Sequence, residues 1–332
     1  MHAPAPASTD PQGWLGRASL RFEQRGGLTH HQGGASSPLK LQRAFRQASG
    51  HCELPLLHTA GGLVGGDQLR IEAQLGPASR ALLTSVAAQK VYGSVGRSRR
   101  HPTGAWAQQE LSFQLEAGSD LEWLPQELVL YADGLYEQHT QVDLAEDASF
   151  LAAEVVRLGR TAAGEDLAGG CWRSTLEIRR HTATGPRWEL VDRLELGGAA
   201  LQGLHGLNGE AVFGSLVWAA PQPLAAEELA ALLAQARAAR QGLVGEMACG
   251  ALEQGLVARY RGSSSQAARF WFTRLWQLIR AQRQLPAPEL PRVWPFQEQP
   301  LSVHHEPDSA ATAGQSEAAA SHRSTIHPQP CI

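Results

Sequence analysis

The chain has 332 residues, enough for one large or two ordinary domains and for a substantial core. Apolar residues make up 43% and charged residues 18%, which excludes a wholly disordered protein, while 34 Gly and 19 Pro point to many turns and so toward β structure. With 29 basic against 32 acidic residues the net charge is −3, which leaves no basic footprint for nucleic acid.

Residues 1–13 are mostly Ala, Pro, Ser and Thr and predict a disordered tail, without the charged and apolar regions of a secretory signal. No run approaches the roughly 18 apolar residues of a membrane span, so a soluble, cytoplasmic protein is expected. From about residue 14 the dominant pattern is short alternation bounded by Gly. Leu69, Ile71, Ala73 and Leu75 share one face, as do Leu111, Phe113 and Leu115; Trp188, Leu190, Leu194 and Leu196 follow, with Asp192 breaking the series. Further strands are predicted near 17–24, 39–48, 80–86, 127–131, 137–144, 149–157, 173–180 and 211–219. No β-α-β alternation accompanies them, which disfavours a doubly wound sheet.

Helical spacing appears only late. Leu224, Leu229, Leu232, Leu233 and Ala236 predict an amphipathic helix over 224–241, stopped by Gly242. A second helix is predicted from 265 to 284, carrying Phe270, Trp271, Phe272, Leu275, Trp276, Leu278 and Ile279. Its apolar surface is wide enough for burial on more than one side, or for a partner surface anchored by Trp271, Phe272 and Trp276. Residues 299–332 predict a second disordered tail, in which His304, His305, His322 and His327 could scavenge metal weakly. The pattern is that of one large, mainly β domain over residues 14–298 with two C-terminal helices.

Common catalytic signatures are missing: no phosphate loop, no G-x-G-x-x-G opening a helix, no G-x-S-x-G and no H-E-x-x-H. Cys52, Cys171, Cys249 and Cys331 form no C-x-x-C pair. The most distinctive string is TAGGLVGGDQLRIEAQL, where Gly61, Gly62, Gly65 and Gly66 flank an apolar pair before Asp67. The glycines suit a tight strand connection; Asp67 is either a turn residue bonding backbone amides or a carboxylate facing a cavity or a metal. In LLTSVAAQKVYGS, Ser85 leads toward Lys90 and Tyr92; Lys90 is either solvated or paired with a carboxylate such as Asp67. In LEWLPQELVLYADG, Pro125 marks an edge, bulge or corner from which Glu127 projects. In EVVRLGRTAAGED, Arg160 and Glu165 are spaced for an ion pair across a turn closed by Gly164. A β core holding Asp67, Glu127, Glu165 and Lys90 needs them paired, wet or bound to a cation, because burying a lone carboxylate costs several kcal/mol.

These blocks, GGLVGGD (61–67), T-x-x-A-A-x-K-x-Y (84–92), W-L-P-Q-E (123–127), G-R-x-x-x-G-E (159–165) and GLVARYRGSSSQAARFWFTRLWQLIR (255–280), occur in an order that resembles the UreD (UreH) family of urease accessory proteins. The resemblance spans about residues 15–296; Ser85 and Val86 stand where the family usually has Thr-Gln. It implies stacked, partly helical β-sheets, a non-enzymatic role in urease maturation, and a complex with UreF, UreG and apo-urease. No tightly bound cofactor is implied, only transient Ni²⁺ in an internal water-filled passage, for which Asp67, Ser85, Glu127 and Glu165 are candidates, organised by Lys90, Tyr92 and Arg160. Two other readings of the same residues are a β-rich carbohydrate hydrolase using a carboxylate pair and an interaction module without metal traffic.

Overall fold

The computed structural model describes residues 13–99, 101–294 and 299–301. The expected tails over 1–12 and 302–332, with His304, His305, His322 and His327, lie outside the described residues. Two large sheets stack face to face. In chain order the first strands are β1 (Leu15–Arg25), β2 (Leu28–Ala35), β3 (Leu39–Leu41), β4 (Phe45–Arg46), β5 (Cys52–His58) and β6 (Gln68–Leu75). They are followed by β7 (Arg80–Ser85), β8 (Gln89–Val91), β9 (Ala107–Leu115), β10 (Asp120–Trp123), β11 (Leu128–Leu130) and β12 (Leu135–Leu144). The remaining strands are β13 (Ser149–Leu158), β14 (Cys171–Thr182), β15 (Gly185–Gly197), β16 (Val212–Ala219), β17 (Glu246–Leu252) and β18 (Gly255–Gly262). Helices are α1 (Ala199–Gln202), α2 (Ala226–Ala238) and α3 (Ser265–Gln282). Strands account for 47% of the structure and helices for 13%, so the mainly β expectation with two C-terminal helices stands.

One sheet runs β15-β14-β12-β9-β6-β1-β2 and the other β17-β18-β16-β13-β10-β7-β5-β3. From β5 to β14 the chain changes sheet at every long strand, and within each sheet those strands pair in parallel. The path is a flattened helix of strands, the partly helical stacking that the resemblance implies. Crossovers 59–67, 86–106, 124–134 and 159–170 all fall at one end of the sandwich, and the short turns 76–79, 116–119 and 145–148 at the other.

Two cores result. Between the sheets pack inward residues such as Phe22, Ile71, Phe113, Leu83 and Phe150. On the outer face of the second sheet, Leu82, Leu151, Leu216 and Trp218 pack against α2 and α3. That sheet is therefore covered on both sides, and strands such as β7, β13 and β16 read as mostly apolar runs rather than as alternation. β5 and β10 escape a period-two reading because Pro55 interrupts the one and the other is only four residues long. The hairpin β17–β18 also escapes it and stands between the two predicted helices, which are otherwise where expected.

Ser264 begins α3 by accepting a hydrogen bond from Ala267 N at 3.1 Å. Trp271, Phe272 and Trp276 are 0%, 4% and 0% exposed, so the wide apolar face is spent inside the domain and these three do not form a surface for a partner. A buried ionic cluster fixes the end of the helix. Arg280 donates to Glu122 on β10 at 2.8 and 2.5 Å, Trp276 Nε1 donates to the same carboxylate at 2.7 Å, and Arg283 reaches Asp120 at 2.7 Å. Asp120 also meets His51 Nε2 at 2.9 Å, and His51 Nδ1 meets Ser49 Oγ at 2.9 Å. At the far end, buried Arg180 pairs with Glu189 at 2.7 Å and donates to the carbonyls of Ala145, Glu146, Ala148 and Ala220.

Candidate functional site

The four early sequence blocks converge on the end that carries the long crossovers. Asp67, at the entrance to β6, accepts from Trp14 N at 2.8 Å and from Val64 N at 2.9 Å, tying the crossover to the first strand. Leu63 and Val91 bridge, with Leu63 N donating to Lys90 O at 2.8 Å. A side chain at Gly62 would stand 2.6 Å from the Tyr92 ring, and one at Gly65 2.6 Å from Ala105 O, so both glycines permit close approach of neighbouring crossovers. Gly61, Gly66 and Gly164 lie in the same set of turns. Lys90 is exposed, and Tyr92 OH donates to Gly61 O at 3.3 Å.

The acidic candidates each have a partner. Glu127 pairs with Arg269 of α3 at 2.9 Å. Glu165 accepts two bonds from Arg160, one at 2.8 Å, as its spacing predicts; the guanidinium lies 4.5 Å from the Tyr131 ring centre, and Tyr131 meets Tyr92 edge to face. Ser85 accepts from Gln126 N at 2.9 Å and lines an internal cavity. Asp67, Glu127 and Glu165 do not line that cavity.

What does line it is a polar rung across the middle of the sandwich. In the first sheet Gln109 pairs with Gln138, and Gln138 with Ser174. In the second, Glu154 pairs with Ser215, and Ser215 with Arg259. Strand alternation turns these side chains inward between Tyr136 and Thr140 on one sheet and Ala152 and Val156 on the other, so polar atoms stand at one level of an otherwise apolar core. A cavity of about 60 Å³ is walled by His58, Gln109, Tyr136, Gln138 and Glu154, with Trp123. Next to it a cavity of about 40 Å³ shares Trp123, Gln138 and Glu154 and adds Thr140, Ser174 and Ser215. Each has room for a few water molecules, and polar walls make such waters favourable.

Gln109 Nε2 donates to Gln138 Oε1 at 3.1 Å, and Tyr136 OH donates to the same oxygen at 3.3 Å. Gln138 faces the Glu154 carboxyl across both cavities. Burial pushes that carboxyl up to about 7, further than the neighbouring Gln138 amide and the Arg259 charge pull it down. Burial lowers the His58 imidazole below its ordinary value, opposed by Asp67, and His58 Nε2 has no hydrogen-bond partner among the described residues. Arg259 bonds Ser215 Oγ and pairs with Asp192 at 2.5 Å where the rung nears the surface. The set offers amide and hydroxyl oxygens, one carboxyl near neutrality and one neutral imidazole. Such ligands hold a divalent ion weakly; among the described residues no group of three His, Cys, Asp or Glu forms a cage.

The sequence reading missed Glu154, Gln138, Gln109, His58, Ser174 and Ser215. A signal was present in FLAAEVVRL: Phe150, Ala152, Glu154 and Val156 share a face, and an acid interrupts it.

A family model described as UreD urease accessory protein matches residues 15–295. The chain is 64% identical over 288 residues to the urease accessory protein UreD of Synechococcus sp. (strain CC9902), an alignment covering 87% of this chain and 93% of that one. It is 64% identical over 289 residues to the protein of that name from Parasynechococcus marenigrum (strain WH8102), with 87% and 93% covered. To that from Prochlorococcus marinus (strain MIT 9303) it is 57% identical over 298 residues, covering 88% of this chain and 100% of the relative.

Proposed function

The chain belongs to the UreD family of urease accessory proteins, and from that premise we propose that it is a non-catalytic scaffold joining UreF and UreG to apo-urease and passing Ni²⁺ onward between its two sheets. The observation that carries the route is the polar rung: Gln138 and Glu154 reach from opposite sheets into the same two cavities.

A conduit must replace part of an ion's hydration without keeping the ion. Here Gln109, Gln138, Thr140, Ser174 and Ser215 supply neutral oxygens, and Glu154 the single charge near the middle. At neutral pH Glu154 exchanges its proton readily, because its pKa is about 7. An entering cation takes the place of that proton on the carboxylate, and the proton returns when the ion leaves. Tyr136 keeps its own proton, since burial and Glu154 both raise it, and so holds Gln138 in place as a donor. Arg259 meets Asp192 and Ser215 at the edge, where its charge is neutralised in part and opposes the cation less.

Asp67, Glu127, Glu165 and their partners Arg160 and Arg269 then serve the end face, holding the crossovers in the shape that other maturation proteins meet. No helix of the described residues is long and apolar enough to cross a membrane; the proposed place of work is the cytoplasm, where apo-urease is assembled.

The test is Glu154→Leu, produced together with urease and the other accessory proteins. The expected result is normal co-purification with UreF and UreG, and urease that has lost most of its nickel and activity. Normal nickel content would overturn the interior route, and failure to co-purify would move the defect to assembly.

A further inference from the structure

A second concavity lies on the outside, at the end face. About 520 Å³ in volume, it falls within the range of ligand pockets. Its floor is glycine, with Gly65 and Gly66 from one crossover and Gly93 from the next; its walls are Val64, Arg97 and His101. None of its lining residues is acidic. The loop at the basic wall carries Arg97, Arg99 and His101, with no acid between them, in a chain of net charge −3. Arg97 and Arg99 are exposed.

The wall is held in shape before anything binds. Ser94 Oγ donates to Ala105 O at 2.8 Å, Gly96 N to Pro102 O at 2.9 Å, and Val95 N to Asp133 O at 3.2 Å. Two apolar side chains of this end are left in water: Val64, which lines the groove, is 51% exposed, and Trp14, which follows the lining residue Gly13, is 59% exposed. A bare glycine floor lets an extended backbone approach closely, the exposed Val64 offers an apolar anchor point, and Arg97 with its neighbour Arg99 supplies positive charge.

We propose that this groove docks an acidic, extended segment of a partner protein, seated with one apolar side chain against Val64 and Trp14 and its carboxylates toward Arg97 and Arg99. Charge complementarity selects this occupant over a basic or neutral one. The site is separate from the interior rung and does not depend on nickel passing through it.

The test uses the full chain and a fluorescein-labelled heptapeptide, Glu-Gly-Glu-Leu-Glu-Gly-Glu, followed by anisotropy. The wild type binds it, and affinity falls as NaCl is raised from 50 to 250 mM. Arg97→Glu with Arg99→Glu weakens it about tenfold or more, as like charges at a docking face cost upward of 1.4 kcal/mol. Val64→Asp weakens it too, and a peptide with Gln for Glu binds the wild type equally poorly. The charge-reversed peptide with Lys for Glu binds the double variant better than the wild type. Hydrogen exchange places peptide-induced protection at 64–66 and 93–99. Equal affinity of wild type and double variant, absence of binding, or protection elsewhere overturns the proposal. So does a single-stranded dodecanucleotide that competes as strongly as the peptide, since the loop would then read phosphate charge alone.

Discussion

Gln138 on β12 and Glu154 on β13 belong to opposite sheets, yet each lines both cavities between them, so an amide and a carboxyl face each other across the core. A titratable group held this way makes stability depend on pH and, on the proposed interior route, makes ion passage depend on pH as well.

The stability consequence has a definite sign. Folding raises the Glu154 pKa from 4.5 to about 7, so its contribution is fully present below pH 4.5 and is lost as the pH rises through 7. The cost of keeping the carboxylate charged above that range is on the order of 3 kcal/mol. Glu154→Gln is therefore expected to be more stable than the wild type at pH 8, by urea denaturation, with the advantage gone near pH 4.5.

Transfer should follow the opposite slope. Protons compete with the cation for the same carboxyl, so nickel delivery to urease slows as the pH is lowered from 8 to 6. Glu154→Gln, which has no proton to lose, delivers slowly and flattens the profile. A wild-type rate unaffected by pH would separate Glu154 from the ion's path.

Arg280 and Glu122 are each 1% exposed and bond each other twice. Removing one partner of a buried pair strands the other, so Arg280→Met is expected to cost about 3–5 kcal/mol. Glu122→Gln in the same chain should recover much of that, because a neutral amide in place of the carboxylate leaves no stranded charge. Equal losses for the single and double variants would mean that packing against Trp276, and not the charge, holds α3.

Asp67 separates two roles that the sequence leaves open. Its carboxylate accepts two backbone N–H groups, and bonds to a charged acceptor are worth about 1.5–3 kcal/mol each. Asp67→Ala is expected to lower stability by about 2–4 kcal/mol, measured by thermal melting, with nickel delivery per folded complex unchanged. Normal stability with impaired delivery would put this carboxylate on the ion's path instead.

Much of the architecture is legible from residue patterns, because one-sided strands alternate: Leu69 to Leu75 and Leu111 to Leu115 lie where alternation puts them. β5 and β10 are not, since Pro55 interrupts CELPLLH and DLEW alternates over only four residues, with its acids Asp120 and Glu122 buried against α3 rather than exposed. The Arg160–Glu165 pair is legible because it is local, five residues apart across a turn. The polar rung is not, because Gln109, Gln138 and Ser174 meet Glu154 and Ser215 only through register and stacking, which no linear pattern carries. The aromatic face of α3 misleads for a related reason: an all-round apolar helix is equally suited to a core and to a partner, and only the outer face of the second sheet decides.

The interior route is tested most directly by a reversible plug. Ser174→Cys places a thiol on the wall of the second cavity in place of a hydroxyl, where methanethiosulfonate can add a methylthio group and dithiothreitol can remove it. The wild type treated alike controls for the native Cys52, Cys171, Cys249 and Cys331. Nickel reaching urease should stop when the thiol is capped, verified by mass spectrometry, and resume when the cap is removed. Delivery that continues unchanged with the thiol fully capped would contradict passage between the sheets.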